Sequence, residues 1–284
     1  MDPTEQFETN RDHLRSVAYR MLGSITEADD ALQEAWLRFD RADSAEVDNM
    51  RAWLTVIVSR VCLDMLRSRR ARREEFVEGA LPEPIVTLED SGDPEQEAVL
   101  ADSVGLALQI VLETLTPAER LAFVLHDLFG MPFEEIAPIV ERSVPATRQL
   151  ASRARRRVRG AGPPSAGDDK QRRAVIDAFL AASREGDFEA LLAVLDPDVV
   201  MRVDGGLAGP RAELHGATDV AGMVLAQGTP RARFGRAAIV NGAPGVVVAT
   251  PQRVLAVAAF TIADRRITSV NIVADPDKLR HVRV

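Results

Sequence analysis

The chain is poor in aromatic residues, at 5% of 284 residues. Its cores must therefore be built from Ala, Val and Leu. A single cysteine, Cys62, excludes a disulfide framework and a zinc site made of thiolates. On a helix such a residue reads as a small buried hydrophobe. No apolar run reaches the roughly 18 residues that a membrane-spanning helix needs. The start, M-D-P-T-E-Q, lacks a basic segment followed by an apolar one, so no signal peptide and a cytoplasmic location are expected. His13, His126, His215 and His281 have no metal-ligand spacing, and no glycine pattern of the Walker or dinucleotide type occurs. Neither a metal nor a cofactor is expected. What is present is ample: 46% hydrophobic residues, in a length that favours two or three domains.

Charge is unevenly placed around a formal net charge of -8. Residues 51–73 hold Arg51, Arg60, Arg67, Arg69, Arg70, Arg72 and Arg73 against one acid, Asp64. Residues 74–119 then hold twelve acids and no Lys or Arg. From Arg142 to Arg159 there are seven arginines and no acid. Positive charge so concentrated in an acidic chain points to nucleic acid. Two basic blocks with an acidic segment between them predict two DNA-contacting modules and a linker that does not adhere to DNA.

Periodicity predicts helices over 5–22, from Ser24 or Thr26 to about Phe39, and from about Met50 to Arg70. The second has an apolar stripe of Ala28, Ala31, Leu32, Ala35, Trp36 and Phe39, opposite Asp29, Asp30, Gln33 and Glu34. Residues 79–97 read as an acidic, proline-containing linker in which Leu81–Pro84 is not helical. Thr116, Pro117 and Glu119 form a capping box that starts a helix ending at Gly130. Pro132 begins the next helix, and Ser143 caps the one after it. Residues 160–169 form a clear linker. Two helices follow over 170–195, then strands from Val199 onward with a helix near 217–226, which is an α+β pattern.

The helix after Ser143 has two faces. Val144, Thr147, Ala151, Ala154 and Val158 form an apolar back. Pro145, Arg148, Gln149, Ser152, Arg155, Arg156 and Arg159 form a polar front. A buried back and a groove-sized front are what a recognition helix needs. Arginine donates bidentately to guanine and glutamine to adenine, and both stand near the helix start. The later arginines suit phosphates.

These elements in this order carry a resemblance. S-I-T-E-A-D-D-A-L-Q-E-A-W-L-R (24–38), N-M-R-A-W-L-T-V-I-V-S-R-V-C-L-D-M-L-R-S-R-R-A-R-R-E (49–74), L-T-P-A-E-R-L-A-F-V-L-H-D-L-F-G-M-P-F-E-E-I-A (115–137) and R-Q-L-A-S-R-A-R-R-R (148–157) resemble the extracytoplasmic-function sigma factors of bacterial RNA polymerase. The resemblance implies a multidomain chain. A sigma2-like helical domain spans 1–75, an acidic linker 76–97, a sigma4-like helix-turn-helix domain 98–160 and a second linker 161–170. It implies core RNA polymerase, through its clamp and flap, and promoter DNA as partners, with no membrane. Asp29, Asp30 and Glu34 would dock the polymerase clamp. Asn49, Arg51, Arg60 and Arg67 would engage the unpaired -10 strand. Pro145, Arg148, Gln149, Ser152, Arg153 and Arg156 would read the -35 duplex.

Residues 171–284 resemble a SnoaL-like, NTF2-like cone, an α+β domain carried by a subgroup of these factors. The likeness lies in 186–200 and in His215-Gly216-Ala217. The subgroup has a W-L-P-E-P-like linker motif, a D-G-G-G-K-like motif and a terminal N-P-D-K-L-like motif. Here these read Leu81-Pro82-Glu83-Pro84, Asp204-Gly205-Gly206 and Asp275-Pro276-Asp277-Lys278-Leu279. Ala80, Leu207 and Asp275 depart from the pattern, and Ala80 removes a large anchor. The expectation is that this domain packs on the linker and regulates, with a small molecule or a protein as its partner. Relatives of the cone use a pocket Asp as general base, which makes Asp204, with His215, the candidate for a cyclase or isomerase reading. A stand-alone helix-turn-helix regulator sensing a small molecule in the cone is the other alternative. The acidic helix at 26–39 speaks against both.

Overall fold

The fold is a computed structural model that describes residues 3–42, 47–71, 80–87, 105–160, 169–206, 209 and 211–282. The chain divides into two compact units, Met1–Phe76 with Leu108–Gly162 and Val77–Ala107 with Pro163–Val284.

The first unit is helical. Helices α1 (Pro3–Leu22), α2 (Ile25–Asp40) and α3 (Met50–Ala71) pack on one another through Leu14, Val17, Met21, Leu32, Phe39, Leu54 and Val58. The scarce aromatics gather here. Phe7 meets Trp36 at 5.3 Å, and Phe39 meets Trp53 at 5.6 Å between ring centroids. Two side-chain caps fix where helices begin: Ser24 Oγ accepts from Glu27 N at 3.2 Å, and Asn49 Oδ1 accepts from Ala52 N at 3.1 Å.

Helix α4 (Leu106–Glu113) leads to α5 (Pro117–Phe123), whose capping box forms as the sequence predicts. The helix predicted to run on to Gly130 is not uniform, because Val124–Leu128 is a π-helical turn. His126 Nδ1 faces the Met131 carbonyl at 3.0 Å beyond it. Helices α6 (Phe133–Val140) and α7 (Val144–Gly160) then form the helix-turn-helix. Glu141, at φ 56, makes the turn tight in the left-handed conformation. Thr147, Ala151 and Ala154 are wholly buried, so small residues seat the back of α7 as expected.

The second unit opens with α8 (Asp169–Glu185) and α9 (Phe188–Val194). Strands β2 (Leu195–Asp204) and β3 (Arg211–His215) precede α10 (Ala217–Met223), which continues through a π-helical turn into α11 (Thr229–Ala232). Strands β4 (Gly235–Val240), β5 (Ala243–Ala249), β6 (Val254–Ala263) and β7 (Arg266–Val273) follow, and α12 (Pro276–Leu279) comes last. Strand β1 (Val86–Thr87) comes from the linker and had no sequence signal. The sheet runs β1-β4-β5-β6-β7-β2-β3, antiparallel except where β2 meets β7. Its helix-facing core holds Ile176, Phe179, Leu191, Met201, Val220, Val246, Ile262 and Val270.

Candidate nucleic-acid and polymerase interface

Along α7, Pro145, Arg148, Gln149, Ser152, Arg153, Arg156 and Arg159 are all exposed. They form one outward surface, because residues three and four apart share a helix face. Arg148 donates to Glu134 at 3.1 Å, with both side chains more than half exposed. Such a pair is worth about 0–1 kcal/mol, so the guanidinium is released readily to a phosphate or base. Arg155 departs from the expected front. It is half-buried and bound to Asp127 at 2.6 Å, which makes it part of the scaffold. Arg157 reaches the buried Glu119 at 3.2 Å and the Thr114 carbonyl at 3.3 Å. The basic run therefore divides into arginines that hold the module together and arginines that face outward.

On α3 the exposed stripe is Arg60, Asp64 and Arg67, with Asp64 within 3.6 Å of Arg38. Arg69 lies off that stripe, paired with Glu27 and donating to the Leu22 carbonyl at 3.3 Å. Asn49 uses its side chain to cap α3. Arg51 binds His13 Nδ1 at 2.8 Å. Arg72 and Arg73 lie outside the described residues.

His13 sits between α1 and α3. Thr55 Oγ1 donates to the Arg51 carbonyl at 2.7 Å, so it can only accept from His13 Nε2 at 3.0 Å. His13 Nδ1 must then accept from Arg51, which defines a neutral ring with its proton on Nε2. Burial, then the charges of Arg51 and Arg20, lower the His13 pKa to about 4. The ring edge meets Phe129 at 5.2 Å, and Arg20 lies 4.6 Å over the same Phe129 ring. Neither histidine nor phenylalanine stood out in sequence, since nothing local links residues so far apart.

Helix α2 exposes Asp30, Gln33, Glu34 and Leu37 on its outer side. Asp29 is less available, because Arg15 grips it through two hydrogen bonds of 2.7 and 2.9 Å. Leu37 is 47% exposed and is the exposed large hydrophobic among the described residues. The sequence did carry a signal for it: Leu37 falls off the apolar stripe of its helix. Cys62 is fully buried, and burial pushes its thiol up to about 12, so it is an inert core residue.

In the second unit the three short motifs converge. Asp204, wholly buried, accepts from Leu81 N at 2.8 Å, Gly206 N at 3.0 Å, Arg211 Nε at 3.2 Å and Lys278 Nζ at 2.7 Å. Lys278 also donates to the Leu81 carbonyl. Burial alone would raise the Asp204 pKa. The hydrogen bonds from Lys278, Leu81 and Gly206 outweigh it and hold the carboxyl below its ordinary range. Gly206, at φ +77, approaches Asp275 so closely that a Cβ would lie 2.6 Å from its carboxyl carbon. Asp275 in turn caps α12 through Asp277 N at 2.9 Å, and Leu279 beneath it is buried. Asn241 adds a contact that the motifs did not include. Its Oδ1 accepts from Ile85 N at 3.1 Å, and its N–H donates to the Ile85 carbonyl at 2.8 Å. Leu81, Pro82, Pro84 and Ile85 are buried, Glu83 is half-buried, and Leu207 lies outside the described residues.

The arrangement around Asp204 does not suit a general base. A base needs a free lone pair and a pKa raised toward neutrality, whereas this carboxylate is saturated by donors. His215 does not join it. In the β2–β3 register Arg211 stands opposite Asp204 and His215 opposite Val200, four residues along the strand and roughly 13 Å away. His215 is exposed beside Glu213 at 3.1 Å.

Comparison with known proteins gives a consistent picture. Residues 6–72 match Sigma-70 region 2, and residues 106–158 match Sigma-70, region 4. The chain is 39% identical to the ECF RNA polymerase sigma factor SigJ of Mycobacterium tuberculosis, over 96% of this chain and 92% of that protein. It is 36% identical to the probable ECF RNA polymerase sigma factor SigI of the same species, over 98% and 94%. The crystal structure of the M. tuberculosis extracytoplasmic function sigma factor SigJ superposes with a TM-score of 0.80 at 35% identity, covering 98% of each chain.

Proposed function

We propose how residues divide the work in this chain, which belongs to the extracytoplasmic-function RNA polymerase sigma factors, and we read its C-terminal extension as NTF2-like. As a sigma factor it acts with RNA polymerase and promoter DNA in transcription initiation. The outward surface of α7 is the observation that carries the finer reading. Arg148, Gln149, Ser152 and Arg153 face the -35 duplex in the major groove, with Pro145 at the helix start and Arg156 on a phosphate. Asn49, Arg51, Arg60 and Arg67 serve the unpaired -10 strand. Asp30 and Glu34, with Asp29 behind them, meet the polymerase clamp, and the helix-turn-helix module meets the flap. The working boundaries are 1–75 and 98–160 for the two DNA-binding modules and 171–284 for the extension. The cytoplasm is the place of action, in keeping with the absence of any described helix long and apolar enough to cross a membrane.

The extension regulates without catalysis. Its one candidate base from the sequence, Asp204, is engaged as an anchor. That anchor holds Leu81, and Asn241 holds Ile85, so the extension controls the segment that joins the two DNA-binding modules. In vitro transcription with core polymerase on a genomic library tests the function directly: promoter-specific transcripts are expected, and their absence would remove the reading. For regulation, ending the chain after Gly160 is expected to change promoter activity. Unchanged activity together with unchanged polymerase affinity would sink that part.

A further inference from the structure

The π-helical turn at Val124–Leu128 does more than interrupt a helix, and turns of this kind are frequent at functional sites. It closes where Phe129 N donates to the Val124 carbonyl at 3.2 Å, and Gly130 then takes a left-handed conformation at φ +69. The chain folds back, so that Met131 N donates to the Leu125 carbonyl at 2.9 Å and the Met131 carbonyl meets His126 Nδ1. A carbonyl can only accept, so Nδ1 donates and carries the proton. That bond holds the imidazole in place. Phe133, the first residue of α6, stacks on it with 3.8 Å between ring centroids and 25° between planes.

The half-buried Phe133 ring has a second neighbour. Arg148 Cζ, from the exposed front of α7, lies 5.8 Å over its centroid. A ring attracts a cation within roughly 6 Å. Glu134, the next residue of α6, accepts from Arg148 Nη2 at 3.1 Å. The two contacts differ in what they leave for DNA. Glu134 occupies an N–H and competes for it with guanine O6 or N7. The ring occupies none of the N–H donors, so its hold on the guanidinium can persist while those donors meet a base.

We infer that Phe133, stacked on His126, is a positioning residue for base reading by Arg148, and that it sharpens the preference at one base pair of the -35 element. The inference rests on α7 as the -35 reader. A long side chain that is already held loses less freedom when it binds. The gain falls on the base that Arg148 meets and not on the phosphates that the later arginines meet, because phosphate contacts carry no sequence information. The expected signature is therefore local to one base pair.

The test uses holoenzyme assembled from core RNA polymerase and the full chain. The probe is a pool of duplexes carrying every single-base change in the -35 element of one promoter recovered from the genomic library. Bound and unbound DNA are sequenced, and the ratio between bases at each position is taken within one sample, so a loss of folded protein cancels. Arg148→Ala should reduce discrimination at one base pair by roughly five- to hundredfold. Phe133→Leu keeps an apolar side chain without the ring. It should reduce discrimination at that same pair by about two- to fivefold and leave the other pairs unchanged. Phe133→Tyr should keep full discrimination, and Phe133→Leu should add nothing to Arg148→Ala. Full discrimination in Phe133→Leu, or an equal loss at every pair, overturns the positioning role. A profile that Arg148→Ala leaves unchanged would instead overturn Arg148 as a -35 reader, and the role of Phe133 falls with it.

Discussion

His13 must stay neutral, because a proton on Nδ1 would point at the guanidinium of Arg51. Its pKa is about 4 in the fold, against an ordinary 6.5. Between those values the unfolded chain binds more protons than the folded one, so stability falls as pH falls. The stabilisation is complete above about pH 6.5 and is lost progressively toward pH 4. Thermal unfolding of the first unit should therefore weaken between pH 7.5 and 5, and His13→Gln should flatten that dependence. A profile equally steep in the variant would assign the loss to other groups. Arg155 and Arg156 offer a second contrast between adjacent residues of one type. Arg155→Ala breaks the half-buried pair with Asp127 and should lower the melting temperature. Arg156→Ala should leave stability alone and reduce the salt slope of promoter binding by about 0.9 for one lost phosphate contact. Melting curves and a salt titration on each variant separate the two roles.

At the scale of elements, α2 joins an ordinary amphipathic helix to one exception. Its buried stripe was legible in sequence because every member recurs at helical spacing, and the structure buries Ala28, Ala31, Leu32, Ala35 and Phe39. Leu37 was legible only as a residue left off that stripe. Exposed among Asp30, Gln33 and Glu34, it has the character of an apolar anchor inside a charged rim. Leu37→Asp should weaken core polymerase binding by more than about 1 kcal/mol, roughly fivefold or beyond, with no loss of helix. Binding unchanged by calorimetry would remove α2 from the polymerase surface. Helix α7 was readable for a related reason, since small residues at its back leave few other packings. What sequence could not supply was the sorting of its arginines. Arg155 and Arg157 find acids that lie 28 and 38 positions away, and no local pattern carries that pairing. The π-helical turn at Val124–Leu128 was equally silent, because it changes hydrogen-bond partners without changing composition.

For the whole molecule, what matters is that the linker is part of a sheet. Sequence marked Leu81–Pro84 as not helical and paired it with motifs near 204 and 275, on the strength of family likeness. It could not show that Val86 and Thr87 pair with Val240 and Ile239, because a two-residue strand has no period to detect. The result is a linker anchored twice, by backbone pairing with β4 and by the carboxylate of Asp204. Asp204→Asn removes the charge that Lys278 and Arg211 share, and breaking a buried pair commonly costs 3–5 kcal/mol. Asn can still accept from Leu81 N, so the expected loss falls on the lysine anchor first and on the strand through it. The Asp204 pKa is depressed, so its contribution is present above about pH 4, the unfolded value, and is lost only as pH falls through the lower folded one. Across the working pH range the clamp is therefore set by sequence and not by titration. Hydrogen exchange at the Leu81 and Ile85 amides measures it: both should be protected at pH 7 in the native chain. Leu81 should exchange faster in Asp204→Asn and in Lys278→Ala, and Ile85 faster in Asn241→Ala. If promoter activity shifts in the same direction in all three, the linker's hold is what the extension controls. If exchange rises while activity stays level, the extension anchors the linker without regulating it.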